Sequence, residues 1–383
     1  MELKTNYQYT YFIYPFIIKD EDYEKYIQKM SRDKNFKLKI LEKEKDINIY
    51  KYFLPKTREL LFSSFTNIFE YIPKEDIQGK IDDKKGIFFT IPKVNVICFK
   101  TGICFLIIKT MITEYQDFRN ILNFNYKFKN IIQESEKLNS FDNIRLQAEN
   151  FADVETLKQF IKEIIGTGET KKANLNTEQF LTYSYVCIDQ ESWGPNNEFE
   201  KIEQDFIKYT NLLPADNSFQ LEIEKNTIFS KWKYAKIGIS KIGTFLFSST
   251  ADVNNYTILP DKYEKQYLYT YILNLYKKIY LHKIEEEFKK TKKIKSARKK
   301  FVSFTKEVWV AEVTEDEIGT KLNKKISNTF ELQKLYEEVN NKYDIFYKDL
   351  NIEKSKKTTI AITIMLVISL IFNIINFIAL LKK

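Results

Sequence analysis

Along the first 250 residues, apolar runs of strand length are interleaved with stretches of helical period. Residues 9–18 (YTYFIYPFII) predict a strand, and residues 55–69 a helix. Two segments carry the hairpin signature of apolar runs flanking a short glycine-bearing turn: VNVICFK-TG-ICFLIIKT at 94–110 and YAKIGIS-KIG-TFLFSS at 234–249. A predicted helix at 117–132 follows the first. A strand at 180–188 and a helix at 198–212 precede the second, and a helix beginning at Asp261 follows it. The order strand, helix, hairpin, helix thus occurs twice. It predicts two related α+β units, 1–150 and 151–260, joined through a helix at 154–165 and the loop GTGETKKANLN at 166–176.

Beyond 260 the period is helical throughout. Tyr263, Tyr267, Ile272, Leu275, Ile279 and Ile284 predict one long helix from Asp261 to about Phe304. Leu332, Val339 and Phe346 repeat at seven, as do Tyr336, Tyr343 and Leu350. This seam fits either a partner copy or the chain's own preceding helix. No proline or glycine interrupts 321–381, so a continuous rod is expected, with 261–357 forming a helical stalk. Residues 358–381, TTIAITIMLVISLIFNIINFIALL, lack any charge. At ~1.5 Å per residue they would span ~36 Å, which predicts one C-terminal transmembrane helix. Thr359, Ile362, Leu366, Ser369, Asn373, Asn376 and Leu380 follow alternating steps of three and four and share one face. Amides in hydrocarbon need partners, so Ser369, Asn373 and Asn376 are expected at a helix–helix interface or a pore lining.

Composition qualifies this picture. Cys98, Cys104 and Cys187 are an odd set in a chain of 383 residues, which fits a reducing compartment rather than a disulfide framework. The start, MELKTNYQYTYFIYPF, shows no secretory signal. With the anchor, these features predict a single-pass protein of the inner (plasma) membrane with a cytoplasmic N-terminal domain. The net charge of +9 is concentrated between Lys289 and Lys300, where eight basic residues occur without an acidic one. Lys289, Lys290, Lys292, Lys293, Arg298, Lys299 and Lys300 are thus either contacts for lipid headgroups or an anionic ligand, or a solvated helix face.

The sequence offers little catalysis. One histidine, His282, excludes two-histidine zinc sites, and no nucleophile elbow surrounds a serine or cysteine. IIGTGETKK at 164–172 lacks P-loop spacing and follows a helix, so it reads as a helix end and linker. No metal, cofactor or enzymatic activity is expected. Trp193, Lys231, Trp232 and Lys233 remain as candidates to stack a base and hold a phosphate, or as ordinary residues of a strand edge.

An α/β N-terminal domain, a long helical stalk with a basic stretch and a C-terminal apolar helix resemble the layout of CorA-like membrane proteins. The Gly-Met-Asn loop and second membrane helix of that family do not occur before Lys383, so ordinary magnesium transport is not implied. The resemblance extends to divergent members that accompany prokaryotic antiviral systems and respond to a nucleotide signal. It implies a homo-oligomer whose cytosolic domain senses a ligand and controls a membrane pore or effector. The alternative is a non-conducting, membrane-anchored binding or scaffolding module. Expected partners are membrane lipid, further copies of the chain and a small nucleotide; nucleic acid is not among them.

Overall fold

The computed structural model describes residues 3–73, 77–81, 86–132, 144–147, 156–166, 170–172, 179–218, 227–290 and 293–381. Two compact bodies emerge. The first comprises Met1–Tyr280 with Thr305–Leu332, and the second Leu281–Phe304 with Gln333–Lys383.

The first body is built on one mixed sheet. Its strands, in chain order, are β1 (Thr5–Ile18), β2 (Phe36–Leu38), β3 (Thr66–Tyr71), β4 (Ile77–Ile81), β5 (Ile87–Phe99), β6 (Ile103–Ile112), β7 (Ile144–Gln147), β8 (Thr170–Lys172), β9 (Leu181–Ile188), β10 (Ile228–Trp232), β11 (Ala235–Ser240) and β12 (Gly243–Ser249). They lie in the order β10-β11-β12-β9-β1-β6-β5-β3-β2; off this path, β4 pairs with β5 and β7, and β8 with β1. The helices of this body are α1 (Tyr23–Arg32), α2 (Ile47–Tyr52), α3 (Pro55–Phe62), α4 (Phe118–Phe128), α5 (Leu157–Ile165), α6 (Glu203–Thr210), α7 (Asn254–Thr257), α8 (Leu259–Lys262) and most of α9 (Leu268–Phe288). The later helices are α10 (Ile294–Phe304), α11 (Glu317–Thr329) and α12 (Leu332–Leu381); α11 belongs to the first body.

Both predicted hairpins form. In β5–β6, Gly102 takes φ +77° at the turn, a conformation that favours glycine, and Cys98 pairs in register with Cys104. All three cysteines are buried and none forms a disulfide, and burial pushes the Cys187 thiol up to about 11. The predicted division into two α+β units is corrected. β1 pairs with β9, so residues on both sides of position 150 share one sheet. Nor do the halves repeat: β6 runs antiparallel to β1, whereas β12 runs parallel to β9. The order of elements was alike, but the pairing sense is opposite.

Strand β1 shows why the sheet is covered on both faces. Its alternation sends Phe12 and Phe16 to one side and Tyr9, Tyr11 and Ile13 to the other, all at most 1% exposed. Phe12 stacks on Phe128 of α4 at 4.1 Å between ring centroids. On the opposite side, Tyr183 stacks on Tyr263 at 4.1 Å, and Phe99 on Tyr276 of α9 at 4.0 Å. Buried tyrosines need acceptors. Tyr9 donates to the Pro260 carbonyl (2.8 Å), Tyr183 to the Tyr263 carbonyl (2.7 Å) and Tyr263 to the Thr244 carbonyl (3.0 Å). Below the other face, Thr10 donates to Asn125 (3.1 Å), Asn125 to Ser184 (3.3 Å) and Tyr209 to Ser184 (2.7 Å), while Thr10 and Ser184 share a 2.7 Å bond. This network ties β1 and β9 to α4 and α6 with each polar group paired. Pro15, which has no N–H to give, lies between the stretches of β1 paired with β9 and with β8.

Past residue 260 the predicted rods are interrupted. The helix expected over 261–304 contains a π-helical turn at Tyr263–Tyr267 and divides into α9 and α10. The rod expected from Lys321 breaks after Phe330, where Glu331 adopts φ +55° without any glycine or proline. In the second body, α12 packs on the chain's own helices. Phe346 stacks on Phe288 at 5.6 Å, and Tyr336 and Tyr343 lie 5.4 and 5.5 Å from Phe301. Phe346, Tyr336 and Tyr343 of the heptad seam are thus packed within the chain. Truncating Phe301 to alanine is expected to cost about 3 kcal/mol of this body's stability, measurable as earlier hydrogen exchange in α10. Unchanged protection would contradict the packing described.

Among the described residues, no helix is long and apolar enough to cross a membrane. The expected transmembrane helix over 358–381 is therefore corrected, and with it the single-pass placement in the plasma membrane. These residues continue α12.

Candidate functional site

A cleft of about 990 Å³ opens where the β10–β11 edge of the sheet meets α6 and α11. Helix α11 is amphipathic. Leu322 and Ile326 are buried against the body, whereas Lys321, Lys324, Lys325 and Asn328, at spacings of three, four and seven, face the cleft. The helix is fixed by its N-cap, where Asp316 accepts from the Gly319 N–H at 2.7 Å. The opposite wall comes from Ile228, Gly238, Ile239 and Ser240, with Lys241 from the β11–β12 turn. A side chain at Gly238 would collide with Thr210, so glycine there lets α6 approach the strand.

The electrostatics are one-sided. Four lysines line the cleft against one carboxylate, Glu331, which Lys241 engages at 3.3 Å. Lys325 donates to the Ile228 carbonyl, and burial pulls its ammonium below the usual lysine range. Lys321 bonds to Glu317 on the solvent side. Lys324 is exposed, with no ion pair among the described residues. Nearby Lys278 is lowered by burial and then by the Lys241 charge, partly offset by Glu331, a sign of net positive field. Such an arrangement suits a ligand with two or more negative oxygens. Replacing Asp316 with alanine is expected to cost about 1 kcal/mol, read as a lowered melting temperature; an unchanged melt would mean the cap does not hold α11.

The predicted site residues are distributed differently. Trp193 is 3% exposed and packs among Phe199, Tyr234 and Phe247, so its ring serves the core and is not available for stacking a base. Trp232 packs edge-on against Phe229, and Lys233 lies over the Tyr234 ring. Of this group Lys231 comes closest to the cleft: after Lys321, it contributes to holding the Glu317 carboxyl below its ordinary range. The basic run does not form one free patch. Lys289 lies 3.8 Å from Glu285, Lys300 bonds to Glu287 at 2.7 Å, and Arg298 stacks over Tyr343 and Tyr347. Lys290, Lys293 and Lys299 are exposed, and Lys292 lies outside the described residues. His282 faces Glu285 at 3.7 Å. Ser369 is exposed, and the side chains of Asn373 and Asn376 lie outside the described residues.

No family model matches the chain, and no curated protein matches it.

Proposed function

We propose that this protein is a binding module for a small polyanionic ligand, of the size and charge of a nucleotide, held in the cleft between α11 and the β10–β11 edge. The observation that supports this most directly is the convergence of Lys241, Lys321, Lys324 and Lys325 on about 990 Å³, with Glu331 the one carboxylate among the lining residues. Ammonium groups recognise phosphate oxygens as point charges, and Thr210, Asn211, Ser240 and Asn328 add neutral hydrogen-bonding groups around them. The volume fits a ligand of nucleotide dimensions. Isothermal titration of the full chain with ATP and with pyrophosphate tests the reading: saturable binding that weakens with added salt supports it, and heat of dilution alone rejects it.

We also propose that the chain associates with a second copy of itself. Ile360, Ile362, Met365 and Leu366 of α12 are between 52% and 70% exposed, a run of apolar surface that water disfavours. The three-four spacing of Thr359, Ile362, Leu366 and Ser369 is that of a helix seam, and self-association along it is the arrangement proposed. Light scattering should give a multiple of the 45.8 kDa chain mass. Ile362→Glu with Leu366→Glu should return it to one chain, whereas an unchanged mass in that variant would remove α12 as the seam.

A further inference from the structure

A second cleft, of about 610 Å³, lies elsewhere in the first body, between α9, the 309–315 segment and α11. Its wall includes Lys277, a residue only 8% exposed. The Lys277 ammonium lies 5.7 Å above the Trp309 ring, and among the described residues it has neither a carboxylate partner nor a hydrogen bond. Buried cations are ordinarily paired, so this exception calls for an explanation. Lys129 provides the contrast. It too is 8% exposed, but its ammonium donates to the Leu212 carbonyl at 3.1 Å and borders neither cleft. Burial pulls each of the two down to about 8. One is spent on a structural bond, and the other is left facing open space.

The surroundings narrow the ligand. Glu312 and Glu315 stand at the cleft and would repel a polyanion, unlike the lysine-lined cleft described above. Asn274, Thr314, Asn323 and Ser327 supply neutral hydrogen-bonding groups, while Trp309, Val313 and Leu332 supply apolar wall. Asn274 is held in place by its bond to Asn323 at 2.7 Å.

We propose that Lys277 is a nucleophilic amine that captures a small neutral or singly charged aldehyde or ketone in this cleft as a Schiff base. The neutral amine attacks the carbonyl carbon, forming the C–N bond as the C=O π pair moves to oxygen. A proton passes from nitrogen to that oxygen, and loss of water leaves the C=N bond. Amine and carbonyl become imine and water, with no oxidant required. Trp309 then lies against the iminium, which its π face favours over a neutral adduct.

The test uses the full-length protein, propanal as the probe and cyanoborohydride to fix the imine, with peptide mapping by mass spectrometry. At neutral pH, Lys277 is expected to be alkylated on the order of tenfold faster than surface lysines such as Lys43, since far more of it is neutral. Lys129 should stay at or below the surface rate, because it has the lowered range but not the cleft. Trp309→Ala should slow labelling at Lys277 without altering Lys43. Labelling of Lys277 no faster than Lys43 in the wild-type protein overturns the proposal, as does equal labelling of Lys129, which would make burial rather than the cleft responsible.

Discussion

Reversing two charges together, Lys321→Glu with Lys324→Glu, is expected to weaken ATP or pyrophosphate binding on the order of a hundredfold. Both residues project from the solvent side of α11 into the cleft, so the substitutions disturb no core packing. Two charge-assisted contacts at about 1.5 kcal/mol each correspond to that factor in Kd, and the low end is appropriate for exposed groups screened by salt. Lys325 is deliberately spared, because its ammonium also closes the sheet edge through the Ile228 carbonyl. The variant should melt within a degree or two of the parent. Titration calorimetry reads the affinity and a thermal melt the stability; undiminished affinity would place the ligand elsewhere.

A large effect on stability is also expected at Glu264. Its carboxylate lies 2.6 Å from Lys109 and 3.6 Å from Lys93, and Lys109 in turn lies over the Tyr9 and Tyr11 rings. Burial alone would raise the Glu264 pKa, but the Lys109 charge and hydrogen bond, with help from Tyr11 and Lys93, bring the balance below its ordinary 4.5. Removing one member of such a largely buried pair leaves the other uncompensated, at a cost of about 2 kcal/mol, below that of a fully buried pair. Glu264→Ala should lower the urea midpoint accordingly. The sign of the pH effect follows from the lowered folded-state pKa: the contribution is complete above pH 4.5 and is lost as pH falls through the folded value. Urea melts across that range should show the parent losing stability toward acid more steeply than Glu264→Ala. Parallel curves would assign the acid sensitivity to other carboxylates.

The local part of this architecture was legible in the sequence. The hairpins at 94–110 and 234–249, the helix starting near 117, the helix expected over 154–165 and found over Leu157–Ile165, and the burial of Cys98 and Cys104 outside any disulfide follow from period, turn glycines and residue type. What failed to show was long-range. Nothing in the local pattern of Tyr7–Ile13 or Leu181–Ile188 states that these strands pair with one another, or that β12 lies parallel to β9. The break at Glu331 was hidden because a non-glycine residue takes the positive φ there, so a search for glycine and proline passes over it. The 358–381 segment reads as a membrane span by hydropathy, yet among the described residues no helix meets that requirement.

The candidate site was harder still. Along the chain, the aromatic and basic clusters near β10 and the run at 289–300 stand out, the latter by the highest charge density. Density along the chain is not convergence in space: ion pairs to Glu285 and Glu287 absorb part of that run. The signal that marks the cleft was present as KLNKKISN at 321–328, where lysines at i, i+3 and i+4 oppose Leu322 and Ile326. It reads as an ordinary solvated helix face until the strand edge and Lys241 are brought opposite it.

Whether the lysine-lined cleft binds a polyanion is decided by titrating ATP into the full-length protein at low and at physiological salt. One site per chain is expected, weakened by salt and lost on reversing Lys321 and Lys324; binding indifferent to both salt and that reversal, or no binding at low salt, would rule the polyanion site out.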